Sequence, residues 1–460
     1  MTATSSILLP ETYRDCLAFF YARNQFAMKL GLENIHALLD RLGNPERGLT
    51  FLHVAGTNGK GSVCANLAAL AGAAGYRRVG LYTSPHLVSF RERIQVDGEP
   101  IPAAFIVAWL RRAQPIILEL QATYFECVTA LALDYFRDRA CEAVVLETGL
   151  GGRLDATNAV IPAVTVITSI SLDHTAILGD TVEAIWKEKI GILKPGIPMV
   201  VREDRPALLE ELDRRAAAAG SPVIRLMDHC LEEIPGANSL WFHGRYATYE
   251  LPGDLRPESH QRENLALSLL AMEVFLGRAL PPPETWIPAL RPARMPGRTQ
   301  WLEAPGLPPV VLDGAHNPGG IDALAAYLGR AFPGRRVQAL FAVMKDKDYA
   351  SVFRRVLGFS ERILFIPLGE EFPRALSFAE LEAALSPDER ARVEAFPLAP
   401  GALEAWLRST HLRAPGPRAL RPGADLVVAC GSLYLLGKLI PQLAPLYPGL
   451  GWFRQFADEF

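Results

Sequence analysis

Residues 51–75, FLHVAGTNGKGSVCANLAALAGAAG, pass from an apolar strand-like run through a glycine cluster into small and apolar residues at helical spacing. A strand that turns at once into a helix commits the chain to layered α/β packing, because each element must bury one face against the other. The glycines let consecutive backbone N–H groups turn toward an anion, and the following helix offers its N-terminal dipole. The loop Gly56, Thr57, Asn58, Gly59, Lys60, Gly61 and Ser62 therefore reads as a phosphate cradle. Its spacing departs from GxxxxGK[ST]: the first glycine of that pattern would fall at Val54, and Gly61 follows the lysine. Lys60 can still reach terminal phosphates and Ser62 can support them.

The strand–helix alternation continues along the chain. VGLYTS, EAVVLETG and AVTVITSI read as strands, and FIVAWLRRAQPIILEL and YFECVTALALDYFRDR as helices. Residues 11–46 carry apolar positions at helical spacing and predict two helices before the first strand. This alternation predicts a parallel sheet covered by helices on both faces. A proline-dense stretch, 279-ALPPPETWIPALRPARMPGRTQ, reads as a semi-rigid connector. Beyond it VVLDGAHNPGG, VQALFAV, RILFIPL and ADLVVACGS restart the pattern. A chain of 460 residues exceeds one ordinary core, so two α/β domains are expected, over 1–296 and 297–460.

A net charge of -3 gives no bulk electrostatic case for nucleic acid or an anionic membrane. No apolar run is long enough to span a bilayer. The N-terminus lacks the basic and apolar regions of a secretory signal. The six cysteines form no CxxC pair and read as buried thiols in a reducing compartment. A cytoplasmic enzyme or binding protein is expected.

In open α/β sheets the ligand crevice lies at the carboxyl ends of the strands. Glu147 ends one strand-like run, Asp173 and His174 follow the next, and Ser84 follows the run near 79–82. Oxygen ligands together with phosphate oxygens suit magnesium. Lys189, in 187-KEKIGILKPG, is an odd companion for a cation. Such a lysine either contacts phosphate or loses its charge, and a neutral amine can take up CO2 to become an anionic carbamate.

GTNGKGS, TSPHL, YFE, ETGLGGRLDATN, LDHT, KEKIGI, HQRENLA, PGR, LDGAHNP and GSLYL occur here in the order seen in folylpolyglutamate synthases and dihydrofolate synthases. The resemblance runs from about residue 25 to 440 and extends to the wider family of ATP-dependent ligases that includes the cell-wall Mur enzymes. It implies a P-loop NTPase-like first domain and a smaller Rossmann-like second domain that closes over the nucleotide. It implies that Gly56 to Ser62 hold the ATP phosphates and that Asn264, Arg298, Asp313 and His316 contact the nucleotide. Ser84, Glu147 and His174 resemble the ligands of two magnesium sites, with Lys189 carbamylated to complete the second. Thr123, Phe125 and Asp155 resemble a pterin pocket, and Ser432 a contact for incoming glutamate. Lys60, Lys189, His174 and His316 are the expected catalytic set. The sequence departs from the family at Cys430, Met295 and Arg91, where threonine, an aromatic and asparagine are more usual.

The activity implied is ATP-driven amide formation on small molecules by a monomer. Dihydropteroate and a tetrahydrofolate are both open as acceptors of L-glutamate. A cell-wall ligase is disfavoured by the short chain preceding the loop. A regulatory ATP-binding protein is disfavoured by the presence of Glu147, His174 and Lys189. A P-loop kinase is disfavoured by Gly61 after the lysine.

Overall fold

A computed structural model describes residues 9–23, 31–233, 239–253, 255, 259–293, 295–411 and 425–459. Contacts gather into two compact units. The first comprises the chain up to His86, Phe90–Ile170 and Thr181–Arg294. The second comprises Met295–Phe460 with two short segments, Leu87–Ser89 and Ser171–Asp180.

The first unit is built on strands β1 (Phe51–Ala55), β2 (Val79–Tyr82), β3 (Ile94–Val96), β4 (Glu99–Pro100), β5 (Ala143–Glu147), β6 (Val164–Ile167), β7 (Met199–Val201) and β8 (Val223–Arg225). They form one sheet in the order β4-β3-β2-β5-β1-β6-β7-β8. From β2 to β8 every neighbouring pair is parallel, while β3 and β4 join antiparallel at one edge. The expected parallel sheet is present and carries an antiparallel edge. Hydrophobic runs report burial but not strand direction, so short edge strands escape that reading.

Side-chain alternation divides β1 between two cores. Phe51 joins one cluster with the helices Glu33–Arg41, Ala103–Leu120 and Tyr124–Asp138. Leu52 and Val54 join the other with the helices Lys60–Ala73, Ser259–Leu276 and Pro283–Leu290. That last helix lies inside the stretch expected to be a connector. Proline is tolerated in a first turn, where its missing N–H would have no partner. Trp286 then buries its ring fully and donates Nε1–H to the Pro281 carbonyl at 2.9 Å. Of the expected helices over 11–46, Tyr13–Ala22 and Glu33–Arg41 are present, and residues 24–30 fall outside the described residues.

Strands β9 (Cys230–Glu233), β10 (Ser239–His243) and β11 (Thr248–Pro252) form a small antiparallel sheet in the same unit. Cys230 on β9 is exposed, whereas the other five cysteines are buried as expected. The second unit holds β12 (Gln300–Leu302), β13 (Val310–Leu312), β14 (Arg336–Phe341), β15 (Arg362–Phe365), β16 (Val393–Ala395) and β17 (Asp425–Cys430). Their order is β12-β13-β17-β14-β15-β16, parallel except for β12. Val310 and Leu312 face one core and Val311 the other, so this sheet too is covered on both sides. Among the described residues no helix is long and apolar enough to cross a membrane.

Candidate active site

The adjacency β2-β5-β1-β6 brings four carboxyl ends to one edge of the first sheet. At the end of β1, Gly56 adopts a φ of 149°, and a Cβ there would lie 1.8 Å from Thr168 Oγ1. Only glycine allows that approach, and the approach straps the loop down. Thr57 N–H donates to the Ser169 carbonyl at 2.7 Å, and Thr168 Oγ1–H donates to the Asn58 carbonyl at 2.8 Å. Gly59, with φ 89°, then starts the helix Lys60–Ala73. The first-turn N–H groups of a helix have no intrahelical acceptor and point outward to a ligand.

Lys60 Nζ donates to the Thr57 carbonyl at 3.2 Å and lies 4.0 Å from Glu147 Oε1. Glu147 ends β5, is buried, and accepts the Ser84 N–H at 3.0 Å. Burial and the Glu147 charge together hold the nearby Cys64 thiol well above its ordinary range. The structure therefore brings Lys60, Ser84 and Glu147 together. Lys189 joins them at the base of the loop, where its buried Nζ donates to the Gly56 carbonyl at 2.8 Å.

Asn264, from the helix Ser259–Leu276, packs over Gly59 with its Oδ1 2.5 Å from the position of a Gly59 Cβ. Its Nδ2 donates to Gln261 Oε1 at 3.3 Å, but its buried Oδ1 has no partner among the described residues. A buried acceptor beside a phosphate loop fits a nucleotide that brings a donor. For metal, no group of three or more His, Cys, Asp or Glu among the described residues could form a cage. Ser84 and Glu147 fit magnesium instead in its usual mode, with one or two protein oxygens beside substrate phosphates.

The three positions expected at a pterin pocket lie on the same unit. Thr123 caps the helix Tyr124–Asp138 in a reciprocal capping box with Glu126. The Phe125 ring rests on Gly149 so closely that a Cβ there would lie 2.3 Å from its edge, and it tilts against Tyr82. Asp155 is buried beneath this loop. Its Oδ2 accepts the N–H groups of Gly149 and Leu150 at 2.9 and 2.8 Å. Its Oδ1 accepts from Thr157 N–H at 3.0 Å and Thr157 Oγ1–H at 2.6 Å. Burial pushes the Asp155 carboxyl above its ordinary range, against the opposing pull of those donors.

The second unit carries the other positions. Asp313 accepts the N–H groups of Thr299 and Ala315 at 2.8 and 2.7 Å, with Arg298 packed against Gly314 between them. Ser432 caps the helix Leu433–Leu443 through Tyr434 N–H at 3.1 Å. His174 follows β6 but packs in this unit, within the segment Ser171–Asp180. Its Nε2 lies 3.1 Å from Lys347 Nζ. Asp173 gathers the cluster, accepting Lys347 Nζ at 2.6 Å and Asn317 Nδ2 at 3.1 Å, with His316 Nε2 3.6 Å away. Burial would raise the Asp173 carboxyl, but His316, Lys347 and His174 outweigh it and hold the group far below the usual carboxylate range. His316 Nδ1–H donates to the Gly314 carbonyl at 2.7 Å. Sequence reasoning missed Lys347. Its only signal was a charged run, KDKD, one residue after the strand-like VQALFAV.

Residues 297–433 match the model of the Mur ligase glutamate ligase domain family. The dihydrofolate synthase/folylpolyglutamate synthase of Bacillus subtilis is 38% identical over 380 residues, covering 79% of this chain and 86% of that protein. This chain belongs to the folylpolyglutamate synthase/dihydrofolate synthase family. The folylpolyglutamate synthase of Lacticaseibacillus casei is 34% identical, across 81% of this chain and 89% of that protein. Among solved structures, the Mycobacterium tuberculosis folylpolyglutamate synthase complexed with ADP superposes with a TM-score of 0.82 at 30% identity, covering 93% of this chain and 98% of that one. E. coli FolC in complex with DHPP and ADP gives 0.80 at 29% identity, across 94% and 98% of the two chains.

For a member of this family, the geometry at Gly59 predicts a nucleotide-binding defect. Gly59→Ala is expected to weaken ATP binding about tenfold, in line with the roughly 1–3 kcal/mol that a non-glycine residue costs in the left-handed region. Gly72→Ala in the same helix is the control, since an added Cβ there meets nothing within 4 Å. Nucleotide titration of both variants checks this, and equal affinities would detach Gly59 from the nucleotide site.

Proposed function

We propose that the protein joins the amine of L-glutamate to the carboxylate of dihydropteroate or of a tetrahydrofolate, with ATP as the energy source. The observation that carries this reading is the meeting of Lys60, Glu147 and Ser84 beside a strapped phosphate loop. Membership of the family supports the choice of substrates.

A carboxylate is a poor electrophile and does not expel oxide unaided. In the first step its oxygen attacks the γ-phosphorus, ADP departs, and an acyl phosphate results. The protein's share of such a transfer is positioning and charge neutralisation. Lys60 offsets charge on the γ-phosphoryl oxygens, and the N–H groups of Gly59 to Ser62 hold the phosphate chain. In the second step the deprotonated glutamate nitrogen attacks the acyl carbon, a tetrahedral intermediate forms, and its collapse releases phosphate. Magnesium, held by Ser84 and Glu147, would supply further neutralisation of the phosphates. His174 and a carbamylated Lys189 would hold a second ion. A Lys189 carbamate keeps one N–H, so it can still donate to the Gly56 carbonyl that the amine now contacts. Asn264, Arg298, Asp313 and His316 would contact the nucleotide, Thr123, Phe125 and Asp155 the pterin, and Ser432 the glutamate.

Phosphate release with ATP, magnesium and glutamate, measured separately with dihydropteroate and with tetrahydrofolate, tests the reading. Turnover with both defines a bifunctional ligase, and turnover with one names its acceptor. Folded protein that binds ATP and turns over neither would refute the assignment.

A further inference from the structure

The sheet face that receives Phe51 also receives one imidazole. His53, on β1, is fully buried there, three residues before the phosphate loop begins at Gly56. Its Nε2 lies 2.8 Å from Thr157 Oγ1. Thr157 is itself fully buried, and its hydroxyl lies 2.6 Å from Asp155 Oδ1. Three backbone N–H groups, from Gly149, Leu150 and Thr157, converge on the same carboxylate. Three N–H donors favour the ionised carboxylate against the burial that raises it, and with Asp155 ionised the single hydroxyl proton of Thr157 goes to Asp155. The Thr157 oxygen is then left to accept, and the His53 Nε2–H must donate.

Two further facts agree with that order. His53 Nδ1 has no partner among the described residues, as expected of the bare nitrogen in an Nε2–H tautomer. Burial, aided by the Lys194 charge, also pushes the imidazole down to about 3, so the ring is neutral. The donors therefore run one way: His53 to Thr157, Thr157 to Asp155, with Gly149 and Leu150 held from the far side. Gly149 is the residue on which the Phe125 ring rests.

We infer that His53 and Thr157 are positioning residues for the pterin substrate. They orient the Asp155 carboxylate, which sets the Gly149–Leu150 backbone and through it the plane of Phe125. This inference rests on the function proposed above. Neither residue touches substrate. Each acts through Asp155, whose carboxylate accepts four hydrogen bonds from the chain itself.

The test is a split between substrates. Thr157→Val keeps the shape and removes the hydroxyl, whereas Thr157→Ser keeps the hydroxyl. Because displacing a bound group by about 1 Å can cost up to roughly 100-fold, Thr157→Val is expected to raise KM for dihydropteroate about tenfold and leave KM for ATP within about twofold. Thr157→Ser is expected to restore both. If Thr157→Val does not accumulate as folded protein, Thr157→Cys, with its weaker donor, should show the same split at smaller amplitude. An unchanged dihydropteroate KM in a folded variant overturns the inference. So does an equal rise in both KM values, which would mark a general structural role. Wild-type protein that turns over no pterin acceptor would bring down the functional reading as well, whereas active wild type with an insensitive variant brings down this inference alone.

Discussion

Replacing Lys60 with alanine is expected to lower glutamate-dependent phosphate release by roughly 10²–10³-fold, the scale of losing one group that stabilises transition-state charge. The structure gives a reason to expect this loss without unfolding. Lys60 is the first residue of the helix Lys60–Ala73. A cation at a helix N-terminus opposes the helix dipole, so the side chain works against its own helix. Alanine removes that opposition and suits the helix better. Glu147 loses a counter-charge at 4.0 Å but keeps the Ser84 N–H at 3.0 Å. The thermal midpoint is therefore expected to change little while activity collapses. Lys60→Arg should recover only part of the rate, because a planar fork does not reproduce a compact ammonium in a tight loop. A coupled assay for phosphate, with a pterin acceptor and with glutamate omitted as the blank, reads the effect. Wild-type release by Lys60→Ala would remove this residue from the phosphate chemistry.

Loss of the Lys189 amine is expected to be almost as severe, at least the roughly 100-fold that removing an outer partner of a metal ligand can cost. Here the local electrostatics differ. Lys189 closes the helix Val182–Lys189, where a cation is favoured, and its amine holds the Gly56 carbonyl at 2.8 Å. A purely structural lysine would satisfy both facts. Two variants separate the readings. Lys189→Met preserves the buried stem and removes the amine, so it isolates chemistry from packing. Lys189→Ala opens a space that a short carboxylic acid can enter, and partial rescue of turnover by that acid is expected if the side chain serves as a carbamate. Full activity in Lys189→Met would take Lys189 out of the site. Inactivity without rescue, together with a lowered thermal midpoint in both variants, would reduce it to a strut under the loop.

The two lysines show how far the sequence reached. Lys60, Glu147 and Ser84 were legible because each follows an apolar strand, and parallel strands must release their carboxyl ends along one edge. The positions for phosphate, pterin and nucleotide were assigned from linear order within motifs. The partners of those residues were not legible. Asp155 stands in a run that reads as substrate contact, and the run does not show that its carboxylate also binds backbone and Thr157. His53 reads as one more residue in an apolar strand, and its Thr157 partner lies 104 residues away. The Asp173–Lys347 contact spans 174 residues and joins a loop to a charged run that does not name its partner. The exposure of Cys230 and the antiparallel edges β3, β4 and β12 escaped for a related reason: composition reports that a residue is apolar or small, not which neighbour covers it.

By itself, the sequence determined the α/β class, the strand-to-helix turn at Gly56–Lys60 and the strand ends that carry Lys60, Glu147 and Ser84. These follow from side-chain period and from glycine's access to positive φ, which are properties of a few consecutive residues. Only the tertiary structure decided which buried polar groups meet, that Asn264 closes over Gly59, and that the segment after β6 packs with the second unit. Burial makes an unpaired donor or acceptor costly, so partners must be found, but the sheet order that delivers them is set by packing across the whole chain.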